Sequence, residues 1–164
     1  MKITMRFLQL VVVLLLSLAL MPLASNGQDK DKHDSGMIAR GDHAMGFDAA
    51  KTTHHFLQNP SGGVIQVTAN DPADTASRDT IQHHLQHIAD RFKAGDFDIP
   101  MFVHDQVPPG VPAMKRLKAE ISYKYAAIDR GGRVEISAKN AEAVAAIHEF
   151  LQFQIREHHT GDPL

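Results

Sequence analysis

The chain contains no cysteine. That absence excludes disulfides and thiolate metal sites. It also excludes a lipid-anchored exported form, which needs a cysteine at the cleavage point. Tryptophan is absent too, and there are two tyrosines. Positive charge is not in excess: 17 Lys and Arg stand against 19 Asp and Glu, a formal charge of −2. With no basic stripe either, nucleic acid is not an expected partner. The common signatures of catalysis are also missing. There is no Gly-x-Ser-x-Gly elbow, no phosphate-cradling glycine loop and no His-Glu-x-x-His pair. What is present in excess is histidine, 11 residues, all beyond position 32.

The N-terminus reads as a leader. Lys2 and Arg6 precede an almost unbroken apolar run from Phe7 to Leu20; Pro22 ends it, and Ala24, Ser25 and Gly27 follow. This is the layout of a secretory signal peptide over residues 1–27, with cleavage before Gln28. The apolar run is short for a membrane span, so no stable anchor is expected after cleavage; the competing reading is an uncleaved anchor. The chain is therefore expected to be exported, periplasmic or secreted. Removing the leader takes away two basic side chains and no acid, which moves the formal charge from −2 to −4.

Residues 28–40 alternate charges and hold little apolar material, so a disordered linker is expected there. Residues 41–162 then read as one domain built on an internal repeat, with units at about 52–96 and 117–162. GGVIQVTA at 62–69 matches GGRVEISA at 131–138, with conservative pairs at most of the differing positions. After a three-residue length difference, Ile81, Leu85, Gln86, Gly95 and Asp96 match Ile147, Leu151, Gln152, Gly161 and Asp162.

Each unit reads as strand, glycine turn, strand, helix. Strands are expected at 52–58, 64–69, 117–127 and 133–138. Asp71-Pro72 and Asn140 are expected to cap the helices, and Gly95 and Gly161 to end them. Residues 96–116 hold four prolines and no clean period, and are expected to form a long ordered loop bridging the halves. The fold expected is α+β, a two-layer sandwich of a four-stranded antiparallel sheet with two helices on one face.

The repeat orients the histidines. His54 aligns with Tyr123 and is expected to face the helices. His158 occupies the position of Phe92, in the middle of the last helix's apolar stripe. His84 sits at the edge of the Ile81/Leu85/Ile88 stripe. His83 and His87, or His84 and His87, share a helical face at chelating distance. His43-Ala44-Met45, and Met101 with His104, are soft-plus-imidazole pairs that suit copper. The candidate metal ligands are therefore His54, His43, His104, His158, His84 and His87, for a transition metal such as zinc or copper. His54, His43, His104 and His158 are expected near one another at one end of the sheet.

Taken together, the segments TTHHF, the GG-I-V hairpin, HLQHIA, PPGVPAM, ISYKY and IHEFLQFQI resemble a family of small exported bacterial proteins rich in histidine. The resemblance covers roughly residues 38–162. Members are sometimes labelled aspartate carbamoyltransferase. This chain lacks the Ser-Thr-Arg-Thr phosphate loop and the paired parallel-sheet domains that such an enzyme implies. The resemblance implies export and an ordered domain, and assigns no residue a role.

Three functional readings follow. The favoured one is an exported binding protein that holds a transition metal or small ligand through histidine. The second is a small enzyme using buried histidines as acid and base. The third is a structural or interaction protein, such as a homodimer, without small-molecule chemistry.

Overall fold

The computed structural model describes residues 26–164, so the expected leader lies almost wholly outside the described residues. The chain divides at Lys32/His33 into two compact units. Of the first, only the start of helix α1 (Asn26–Met45) is described. The second, His33–Leu164, carries the rest of the architecture. No helix among the described residues is long and apolar enough to cross a membrane.

After a short 3₁₀ turn, β1 (Thr52–Asn59) and β2 (Gly62–Ala69) form a hairpin, and α2 (Thr75–Ala94) follows. Two short helices come next, α3 (Asp98–His104) and α4 (Val111–Arg116). A second hairpin, β3 (Ile121–Ile128) and β4 (Gly131–Ala138), leads to α5 (Ala141–Glu157). The sheet is antiparallel in the order β1-β2-β4-β3. It buries one face under α2 and α5, which makes the two-layer α+β sandwich that the strand and helix patterns imply.

The duplication is visible atom by atom. At the centre of the β2–β4 pair, Ile65 lies opposite Val134, its own counterpart in the repeat. The Ala69 N–H donates to the Arg130 carbonyl at 2.8 Å, and the Ala138 N–H donates to the Ser61 carbonyl at 2.9 Å, the same bond in the two halves. The helices cross over: α2 packs mainly on β3 and β4, and α5 mainly on β1 and β2. Leu151 of α5 therefore lies over Gly63, while Leu85 of α2 lies over Gly132.

Four local expectations are corrected. The linker expected at 28–40 is part of α1, because tertiary contacts hold a segment whose composition alone favours solvent. Met37 is 4% exposed, Arg40 Nε donates to the Val103 carbonyl at 2.9 Å, and Asp34 faces His159 at 3.4 Å. The 96–116 loop contains α3 and α4; two of its four prolines, Pro100 and Pro112, sit in the first turns of these helices, where no donor is lost, and Pro108 and Pro109 lie in the connection between them. The α2 cap is Asp74, whose carboxylate accepts from the Ser77 N–H, whereas Asp71-Pro72 forms a preceding turn. Gly161 does not end α5: His159 takes the left-handed position (φ 49°), and the Thr160 N–H returns to the Ile155 carbonyl. Gly95 does end α2, with φ 83°. Asn140 caps α5 as expected.

The C-terminal tail protects the edge of β1. The Asp162 carboxylate accepts from the Phe56 N–H at 2.9 Å and from Thr160 Oγ1–H at 2.7 Å, and lies 2.8 Å from His55 Nδ1. Burial pulls its pKa upward, but these hydrogen bonds outweigh that and hold the carboxyl below its usual value. Asp162→Ala should cost about 2–4 kcal/mol, since it leaves an edge amide and a histidine without their acceptor. It should also promote oligomers through the opened strand edge. Urea denaturation with sedimentation checks both; a variant as stable and as monodisperse as the parent would refute this role.

Candidate functional site

The two halves of the duplication diverge at one place. Where the second unit's β3 meets the first unit's α2, Tyr123 and Phe92 pack edge to face, ring centroids 5.9 Å apart, and fill the core. Where the first unit's β1 meets the end of the second unit's α5, the equivalent positions hold His54 and His158. Their rings stack at 5.8 Å with an interplanar angle of 7°. Where one half uses a phenylalanine and a tyrosine, the other uses two imidazoles.

Around this pair the sheet and helices form a partly open cavity of about 80 Å³. Its lining is mostly apolar, with Phe56, Ile65, Ile88 and Phe150 among the walls. Four histidines also line it: His54, His84, His104 and His158. His104 meets His158 edge to face at 5.1 Å, and Phe47 meets the His84 ring at 5.7 Å. His104 Nε2 lies 2.9 Å from Gln154 Oε1, and His104 Nδ1 lies 3.8 Å from Glu157 Oε2. His54 Nε2 is buried and has no hydrogen-bond partner among the described residues. Its counterpart in the other half, the Tyr123 hydroxyl, is likewise unpartnered.

Burial keeps three of these rings, His54, His84 and His158, uncharged at neutral pH. Burial lowers the pKa of His54 to about 4, with His55 adding repulsion. Burial lowers His84 to about 4, helped by His87, His54 and His83. Burial lowers His158 to about 3, with further repulsion from His54, His104 and His159. At neutral pH each of these three rings is an uncharged donor–acceptor.

Of the six candidate ligands, the structure brings His54, His84, His104 and His158 to one cavity. His43 and His87 do not join them. His43 is exposed and its ring rests near Phe102 at 6.4 Å, because α1 turns it away from the sheet. His87 is exposed on the outer face of α2. The soft-plus-imidazole pairs also separate: Met101 sulfur meets Lys115 Nζ at 3.9 Å, while His104 points into the core. Among the described residues no three His, Asp or Glu side chains are placed to hold a metal ion.

Gln154 was not anticipated, yet it lines the cavity, as does Met45, which the sequence had paired with His43 as a soft ligand for copper. Gln154 is 4% exposed within the apolar face of α5, and a polar residue at that helical position was the available signal. Met45 lines the cavity without His43, because its position depends on how α1 docks. Neither a family model, a curated protein nor a solved structure matches this chain.

Proposed function

We propose that this chain is an exported binding module that takes a small, largely apolar molecule into the histidine-walled cavity. The observation carrying the reading is His54, which lines the cavity and whose ring nitrogen Nε2 is buried without a hydrogen-bond partner among the described residues. An unsatisfied buried polar atom costs about 1–3 kcal/mol, a cost that a bound ligand's hydrogen bond offsets. The Tyr123–Phe92 pair supports this, because the same scaffold position accepts a tyrosine, so packing alone does not call for a histidine there.

The acid–base enzyme reading has less support. A general acid or base works best with a pKa near the operating pH, whereas His54 and His158 fall to about 4 and about 3. The metal reading has less support as well, since a structural or catalytic zinc site needs three or four convergent protein ligands.

Butan-1-ol is a suitable neutral probe, with an apolar tail and one hydroxyl. Titrated into the protein and followed by NMR, it should saturate and shift the His54 and His158 ring signals. His54→Phe should fold with stability equal to or up to about 2 kcal/mol above the parent, because it removes the orphaned nitrogen and packs against Phe47, Phe56 and His158. It should also abolish butanol binding. No saturable binding to the parent, or unchanged binding in the variant, would overturn the proposal.

A further inference from the structure

The two repeats also differ at the edges of the sheet. In the order β1-β2-β4-β3 both β1 and β3 are edge strands, one from each unit. Two-residue turns close both hairpins, at Asn59↔Gly62 and Ile128↔Gly131, so the two strands share one hydrogen-bonding phase. Phe56 and Tyr125 hold equivalent places, opposite Ile65 and Val134, and both direct their N–H away from the sheet.

The two edges end differently. On β1 the Phe56 N–H donates to the Asp162 carboxylate at 2.9 Å. Asp96 is the matching aspartate of the first unit, but there the chain turns into α3. Its carboxylate accepts instead from the Asp98 N–H at 2.9 Å and pairs with Arg91. The outward N–H groups of Tyr123, Tyr125 and Ala127 meet no acceptor among the described residues. β3 also lacks the usual defences of an edge strand. It runs eight residues without proline or bulge, and its one charged side chain, Lys124, stands on the exposed outer face.

We propose that β3 pairs with β3 of a second copy of this chain, antiparallel across a two-fold axis at Tyr125, into one continuous sheet. The occupant follows from closure and charge. With β1 capped by Asp162, pairing through β3 stops at two chains, whereas two open edges would continue. The outward groups allow only registers that set odd-numbered residues against odd-numbered ones. Two such registers overlap nearly the whole strand. One centres on Lys124 and sets two ammonium groups directly opposite each other, which costs stability. The other centres on Tyr125 and sets Lys124 against the partner's Ala126, and Tyr123 against the partner's Ala127. It forms about six main-chain hydrogen bonds. The axis stands perpendicular to the sheet, so both copies keep their helices on the same face.

Sedimentation velocity of the protein across a concentration series should show twice the chain mass, dissociating on dilution. Ala127→Pro removes one outward N–H and no β3–β4 bond, so it should fold like the parent and weaken the dimer about tenfold. Because the chain has no cysteine, introduced thiols report the register without background. A mixture of Lys124→Cys and Ala126→Cys chains should form a disulfide dimer on mild oxidation, since directly opposed Cα atoms lie about 4.5–5.5 Å apart. Lys124→Cys alone should not, its two thiols being diagonal neighbours. Should Ala127→Pro lose the parent's circular dichroism, the crosslinks decide. A single-chain mass at every concentration would overturn the pairing, whether the edge stays solvated or takes another protein's strand. A folded Ala127→Pro that dimerises as tightly as the parent would overturn it too. Crosslinking of Lys124→Cys alone, or none in the mixture, would overturn the register at Tyr125 and the assignment with it.

Discussion

Lowering the pH from 7 to 4 should unfold this protein, and the transition should begin well above the range where carboxylates protonate. His54, His84 and His158 have folded-state pKa values of about 4, about 4 and about 3, against an ordinary 6.5. Below pH 6.5 the unfolded chain binds protons at these sites that the folded chain cannot. Stability is therefore full above about pH 6.5 and is lost as pH falls toward the folded values. At ~1.4 kcal/mol per pKa unit, each group accounts for roughly 3 kcal/mol, so three of them rival the whole stability of a domain this size. Repulsion among the rings makes these contributions non-additive, because a charged His54 would repel both His84 and His158. The depressed carboxyls Asp74, Asp96 and Asp162 act lower, losing their contributions only as pH falls below about 3.8. Urea denaturation at stepped pH, read by far-UV circular dichroism, checks the window. Pairing His54→Phe with His84→Leu should move the acid midpoint down by about a pH unit and flatten the slope. A midpoint below pH 3 in the parent, or one that the double variant does not move, would sink the assignment.

Replacing either leading glycine of the repeat with alanine should cost about 3–5 kcal/mol, enough to leave the double variant unfolded. A Cβ on Gly131 would lie 2.1 Å from the Val67 carbonyl oxygen, and one on Gly62 would lie 2.2 Å from the Ile136 carbonyl oxygen. These are backbone atoms of the partner strand, so relief requires β2 and β4 to part at the middle of the sheet. Gly62 carries a further strain, with φ at 144°, a region that L residues rarely adopt. Gly161→Ala is the control: nothing lies within 4 Å of its added carbon, so it should cost only about 1 kcal/mol, for its φ of 74°. Urea denaturation of the three single variants decides the matter. If Gly131→Ala fell within 1 kcal/mol of the parent, close approach would not explain why both units begin with Gly-Gly.

Much of the fold was legible because its determinants are local or repeated. Alternating strands and helical stripes record which faces are buried, and the duplication relates the two hairpins without any tertiary information. Aligning His54 with Tyr123 and His158 with Phe92 placed both histidines on the inner face, where the structure finds them stacked. Helix boundaries were less legible. Asp71 and Asp74 are both competent caps, and only the path of the chain leaving β2 selects Asp74. Glycine was expected to end α5, but His159 adopts the left-handed turn while Thr160 and Asp162 secure the tail beyond it.

The amino-acid sequence by itself determined the layers, the pairing of the repeats and the inward direction of His54 and His158, because periods of two and 3.6 residues are properties of the local chain. Only the tertiary structure decided which histidines meet. His43 and His104 belong to segments with no repeat partner, and their orientations depend on how α1 and α3 dock, a matter of long-range packing that no local period encodes. The same packing put Met45 on the cavity wall and left His54 Nε2 without a partner among the described residues. A polar atom's satisfaction depends on every neighbour that comes within reach, and those neighbours are assembled only in three dimensions.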